Sequence, residues 1–246
     1  MRWIAAFIAL VVAAAPAVAQ VPDLRDLIPP GEATVSGKII QYIALLTILS
    51  VAPGLLIMAT SFTRLVIAFS FLRSGLGLQS TPANLVLVSL ALFLTFFVMS
   101  PVFEKSWKDG LQPYSANQIG DEEAFQKITA PFRSFMLKNV REKDLALFEA
   151  IARERRIVGQ AAGEVDLRVL IPAFMISELR RGFEIGFLIA LPFLVIDLIV
   201  SMLTMSMGMM MLPPTVISLP FKVLFFVLID GWNLLVGSLV NSFITS

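Results

Sequence analysis

The chain has 246 residues, with 19 Lys and Arg against 18 Asp and Glu, no His and no Cys. Hydrophobic residues make up 57% and charged ones 15%, with a mean hydropathy of +0.85, which leaves too little polar surface to clothe a water-soluble globule. The net charge of +1 excludes a broad basic field for nucleic acid, and the lack of imidazole and thiol removes common catalytic bases and the usual zinc, haem and iron–sulfur ligands.

Met1-Arg2 supplies a positive start, Trp3 to Ala15 an apolar run, and Ala17-Val18-Ala19 a small-x-small pattern before Gln20. This reads as a cleavable secretory signal over residues 1–19. The alternative is an uncleaved first helix, although the run falls short of the roughly 20 residues a span needs. A polar leader, 20–38, follows. Four longer apolar stretches come next, from Ile39 to Thr63, Ala83 to Phe103, Gly182 to Met205 and Thr215 to Ile244. They suggest two helical hairpins, 39–103 and 182–246. The only charges between the first two stretches are Arg64 and Arg73, which places the 61–82 turn on the cytoplasmic side. Residues 104–181 then lie outside, and the 206–214 turn inside.

Residues 104–181 hold 12 acidic and 13 basic side chains, 25 of the chain's 37, and read as a solvated region. Asp121 is the expected N-cap of a helix with Phe125, Ile128, Phe132, Phe135 and Met136 on one face, kinked or restarted at Pro131. A second helix is expected from Asp144 to a stop near Gly159, and a third from Asp166. No alternating strand pattern competes, so the fold class is all-α.

Well inside the later apolar stretches stand the charges Asp197, Lys222 and Asp230. Each costs roughly 2.5–3.5 kcal/mol at mid-helix on insertion scales, so each needs a partner. Asp197 and Lys222 lie symmetrically about the Met- and Pro-containing turn, at equal depth in an antiparallel hairpin. They read as a buried ion pair, within one hairpin or between neighbouring copies, that fixes register and orders subunits, the alternative being a proton or ion pathway. Asp230 has no evident role. Six of the eleven methionines fall between Met202 and Met211, with Pro213-Pro214 directly after. Such side chains fill gaps at a crowded turn, or form a compliant apolar collar. No metal or catalytic constellation stands out, and no cofactor is expected.

The segment Met207 to Phe243, reading MGMMMLPPTVISLPFKVLFFVLIDGWNLLVGSLVNSF, resembles the C-terminal signature of the FliP family of flagellar type III export-gate proteins. Pro53-Gly54 with Ser61 to Arg64, Leu72-Arg73 ahead of Gly75 to Pro82, Phe96 to Pro101, and SELRRGFEIGF within Ile176 to Phe187 fit as well. The injectisome relative SctR shares this core, while the signal segment and the long charged region resemble the flagellar branch.

The resemblance implies a polytopic inner-membrane protein of the flagellar basal body whose charged region is periplasmic. It implies a homo-oligomer that forms a helical pore with FliR and FliQ, works with FlhA and FlhB, and passes unfolded flagellar subunits. In such an assembly the hairpins are largely buried against neighbours. Met209, Met210 and Met211 then occupy the pore gasket. Phe148 and Glu178 fall at subunit contacts, Asp197 and Lys222 at charged positions of packed helices, and Arg64 and Arg73 match less closely. The chain reads as a pore subunit and not an enzyme; the rival readings are an injectisome export-gate subunit and an ion-coupled small-solute transporter.

Overall fold

The computed structural model describes residues 57–78, 80–155, 165–208 and 213–244, with scattered positions between 42 and 54. The expected signal and leader, 1–38, lie outside the described residues. Residues 1–50 and 51–246 are two compact units. In the first, the described positions are helical, and the hydroxyls of Thr47 and Ser50 donate back to the carbonyls of Ile43 and Leu46, each at 2.7 Å.

The second unit is all-helical among its described residues. Its elements are α1 (Phe62–Gly75), α2 (Asn84–Ser106), α3 (Gln112–Ser115), α4 (Asp121–Asn139), α5 (Glu142–Glu154), α6 (Leu167–Ser206), α7 (Pro214–Leu228) and α8 (Gly231–Ile244). A π-helical turn, Trp107–Leu111, joins α2 to α3. The widened turn brings Gly110 against α4, where an added Cβ would meet Ile128 Cγ1 at 2.5 Å, so this crossing admits no side chain. Ser106 secures it by donating to the Ile128 carbonyl at 2.8 Å.

Several boundaries differ from expectation. The predicted 61–82 turn is mostly α1, and the connection shrinks to 76–83. Ala68, Leu65 and Phe69 are fully buried, so this segment is core and the pair of arginines does not mark a solvated loop. Asp121 is the first residue of α4 and not its cap, Gly120 taking that place, and the helix passes through Pro131 without restarting. Asp166 does cap α6, accepting from the Arg168 N–H at 2.8 Å. That helix runs unbroken for 40 residues, so one rod carries both the end of the charged region and the third apolar stretch. The fourth stretch is two helices bent by 64° at Ile229–Asp230. Hydropathy alone cannot see such a break: Asp230 takes a left-handed φ of +52°, and a Cβ on Gly231 would sit 2.2 Å from the Phe226 ring.

Two described helical stretches, Asn84–Ser115 and Leu167–Ser206, are long and apolar enough to cross a membrane, and the bent α7–α8 pair makes a third if counted as one span. Helices α1 and α6 lie side by side. Ile67 faces Gly182, Phe71 faces Gly186 and Gly75 faces Ala190; the numbers rise together, so the two run parallel. A Cβ on Gly186 would come within 2.6 Å of Phe71. In hydrocarbon, burying one apolar surface on another gains little over lipid contact, so close approach at small residues is what holds such helices. Leu65, Phe69 and Leu72 of α1 then form the main core with Leu87 and Ala91 of α2, Phe193 of α6, and Phe226, Leu235 and Leu239 beyond.

Candidate functional site

The apolar body is pinned at both ends of α1 by a buried polar clamp. At its N-terminal end, Arg64 is fully buried. Its Nε donates to Glu178 Oε2 of α6 at 2.9 Å and its Nη2 to Oε1, a bidentate fork. Nη1 donates to the Ser242 hydroxyl at 2.8 Å and the Ser242 carbonyl at 3.1 Å. The guanidinium carbon lies 3.6 Å from the centre of the Phe243 ring. One side chain thus gathers α1, α6 and α8.

At the other end, Lys222 of α7 is 4% exposed. Its Nζ donates to Asp197 Oδ2 of α6 at 2.6 Å and to the Gly75 carbonyl at 3.0 Å, capping the last turn of α1. Ser218 donates to Asp197 Oδ1 at 2.5 Å, so both carboxylate oxygens have a partner. Helices α6 and α7 run antiparallel here, with Phe193 packed on Phe225 and Phe226. The two clamp carboxylates of α6, Glu178 and Asp197, are 19 positions apart, about 28 Å along the helix, close to the thickness of a bilayer's hydrocarbon core.

Beyond the second clamp α1 has ended, but α6 continues. From Asp197 to the end of α6 at Ser206 is about 13 Å of helix. This tip is apolar and open: Leu198, Ile199, Met202, Leu203 and Met205 are each at least half exposed. Met207 leads into Gly208, whose φ of +74° turns the chain. A cavity of about 900 Å³ opens beside the tip's base, lined by Arg73, Ser74, Thr81, Asp197, Thr215 and Lys222.

The residues singled out from the sequence fall as follows. Asp197 and Lys222 meet directly. Met209, Met210 and Met211 lie outside the described residues. Arg64, expected in a cytoplasmic-side turn, is corrected as to the turn alone: it lies on α1 wholly inside the helical core, where Glu178 and Ser242 replace its hydration. Glu178, expected at a subunit contact, pairs with Arg64 within this chain. Phe148 is half-buried on α5. Arg73 is half-buried at the end of α1.

Sequence reasoning missed that Arg64 and Glu178 are partners, since 114 residues separate them. It also passed over Ser177, which donates to Asp144 Oδ2 at 2.7 Å and accepts from the Arg141 N–H at 3.1 Å, tying α5 to α6. A signal existed: Glu178, Gly182, Gly186 and Ala190 recur every fourth residue and mark the face of α6 that receives α1.

Long apolar helices, internal ion pairs at both ends of a parallel helix seam, and an exposed apolar end of α6 define an integral membrane protein. A family model described as the FliP family matches residues 45–239, and the chain belongs to that family. A relative from Agrobacterium fabrum described as flagellar biosynthetic protein FliP is 67% identical over 212 residues, covering 86% of each chain. The Rhizobium meliloti protein of the same description is 64% identical over 215 residues, 87% of this chain and 88% of that one. The Bacillus subtilis counterpart is 52% identical over 204 residues, 83% and 91%.

Proposed function

We propose that this protein is a core pore subunit of the flagellar type III export gate, conducting unfolded flagellar subunits across the inner membrane as a conduit and not as a catalyst. Its family membership and the flagellar description of its relatives favour the flagellar branch over the injectisome. The observation that carries the pore reading is the α6–α7 tip. It is apolar, exposed, and held by a polar clamp at its base, so it needs apolar neighbours and can yield without unfolding the body.

In this reading several copies assemble with FliR and FliQ homologues, and FlhA and FlhB act with them. The tips converge so that Met209, Met210 and Met211 close the passage. Thioethers offer water no strong hydrogen-bond partner, and their unbranched chains part around a passing polypeptide. The charged helices α4 and α5 stand on the periplasmic side, where Phe148 contributes to contacts between copies. Replacing Met209 to Met211 by Ala should leave assembly intact and raise ion conductance of the reconstituted complex several-fold. Unchanged conductance removes the methionines from the seal, and solute uptake by this chain alone in liposomes would favour a transporter.

A further inference from the structure

Most charges within the apolar helices are neutralised inside the chain: Arg64 by Glu178, Lys222 by Asp197, and Glu184 by Arg180 at 2.9 Å. Two are not. Among the described residues, the side chains of Arg73 and Asp230 have no hydrogen bond or ion pair. They are opposite in sign.

Asp230 is held outward by its backbone. It sits at the α7–α8 break with its φ of +52°, its N–H donating to the Val227 carbonyl at 3.1 Å and its own carbonyl accepting from the Asn233 N–H at 3.0 Å. Its carboxylate therefore stays exposed among Val227, Leu228 and Leu234, which are 67%, 74% and 61% exposed. A surface this apolar is covered by lipid or by protein, and in either setting a lone carboxylate is costly unless a cation meets it. Arg73 stands at the end of α1 with a long side chain and, among the described residues, no carboxylate within ion-pair distance; the nearby Asp197, which lines the same cavity, is held by Lys222 and Ser218. The Arg73 fork suits a carboxylate in a poorly hydrated interface better than a lysine would.

We propose that Arg73 of one copy and Asp230 of a neighbouring copy form an ion pair across an interface between two copies of this chain. The proposal rests on the reading that copies assemble, and it names the charges that set how they meet. A second copy supplies both things this surface lacks, an apolar cover and a counter-charge; lipid supplies only the first. The pair would also orient the contact, because like charges meet if either copy is turned.

The chain has no cysteine, so introduced thiols stand alone. A disulfide needs Cα atoms within roughly 7 Å, closer than an Arg–Asp pair requires, so a short bis-maleimide is the better probe. Differently tagged Arg73→Cys and Asp230→Cys chains are co-expressed with the companion subunits and treated in isolated membranes. The expected product carries both tags and is absent when either chain is expressed alone. Charge reversal gives a second readout. Arg73→Asp or Asp230→Arg should each cut recovery of the assembled complex about tenfold, and the double variant should return it to within threefold of wild type. If wild-type complex assembles but the two-tag product is missing, or linkage forms only when both thiols are in one chain, the pair is overturned while assembly stands. If wild-type chains do not associate at all, the assembly reading falls, and the pair with it.

Discussion

The two clamps look alike in composition and differ in setting. Arg64 and Glu178 are both fully buried, joined by a bidentate fork, and backed by Ser242 and the Phe243 ring. Lys222 and Asp197 share a single ion-pair contact, and the carboxylate is 27% exposed beside an open cavity. The first has no way to exchange partners without leaving charges dry. The second can let water in as it loosens. A buried pair contributes little over an apolar replacement, yet losing one partner is expensive, so the first clamp acts as a fixed pin and the second as a base that can flex. The more open end is the one that carries the methionine-bearing tip.

The largest expected effect breaks the pin. Arg64→Ala strands the Glu178 carboxylate and should cost about 3–5 kcal/mol, enough to lower the thermal midpoint of the detergent-purified protein sharply or prevent its recovery. Arg64→Lys should recover little of this, because an ammonium cannot fork onto Glu178 and still reach Ser242. A lysine variant as stable as wild type would mean that charge alone matters there.

A smaller effect is expected at the second clamp. Lys222→Met leaves Asp197 partly hydrated and still bonded to Ser218, so the loss should be about 1–3 kcal/mol. Reversing both charges, Asp197→Lys with Lys222→Asp, should recover part of the assembly that either single reversal loses, as read by the amount of complex purified. If the double is no better than the singles, the Gly75 carbonyl and Ser218 contacts matter more than the ion pair. A Lys222 loss equal to that of Arg64→Ala would erase the distinction between the clamps.

What could be read from the sequence follows the range of each interaction. Asp197 and Lys222 could be placed opposite one another because both lie on arms of one local hairpin, and a turn rich in Met and Pro marks its centre. The helix start at Asp166 was legible for a similarly local reason, its side chain reaching an N–H two residues on. Arg64 was assigned to the 61–82 turn because it and Arg73 are the only charges between two apolar stretches. Its burial comes from Glu178 and Ser242, both more than 100 positions away. The break at Asp230 escaped hydropathy because one left-handed residue bends a helix without altering the average apolarity around it.

The most direct measurement places a photocrosslinking residue at Met210 and arrests an export substrate within the assembled gate. The account predicts a covalent adduct between position 210 and the substrate chain, and much weaker adducts from Phe96 on the exposed face of α2. Crosslinks from Phe96 to substrate with none from position 210 would contradict it.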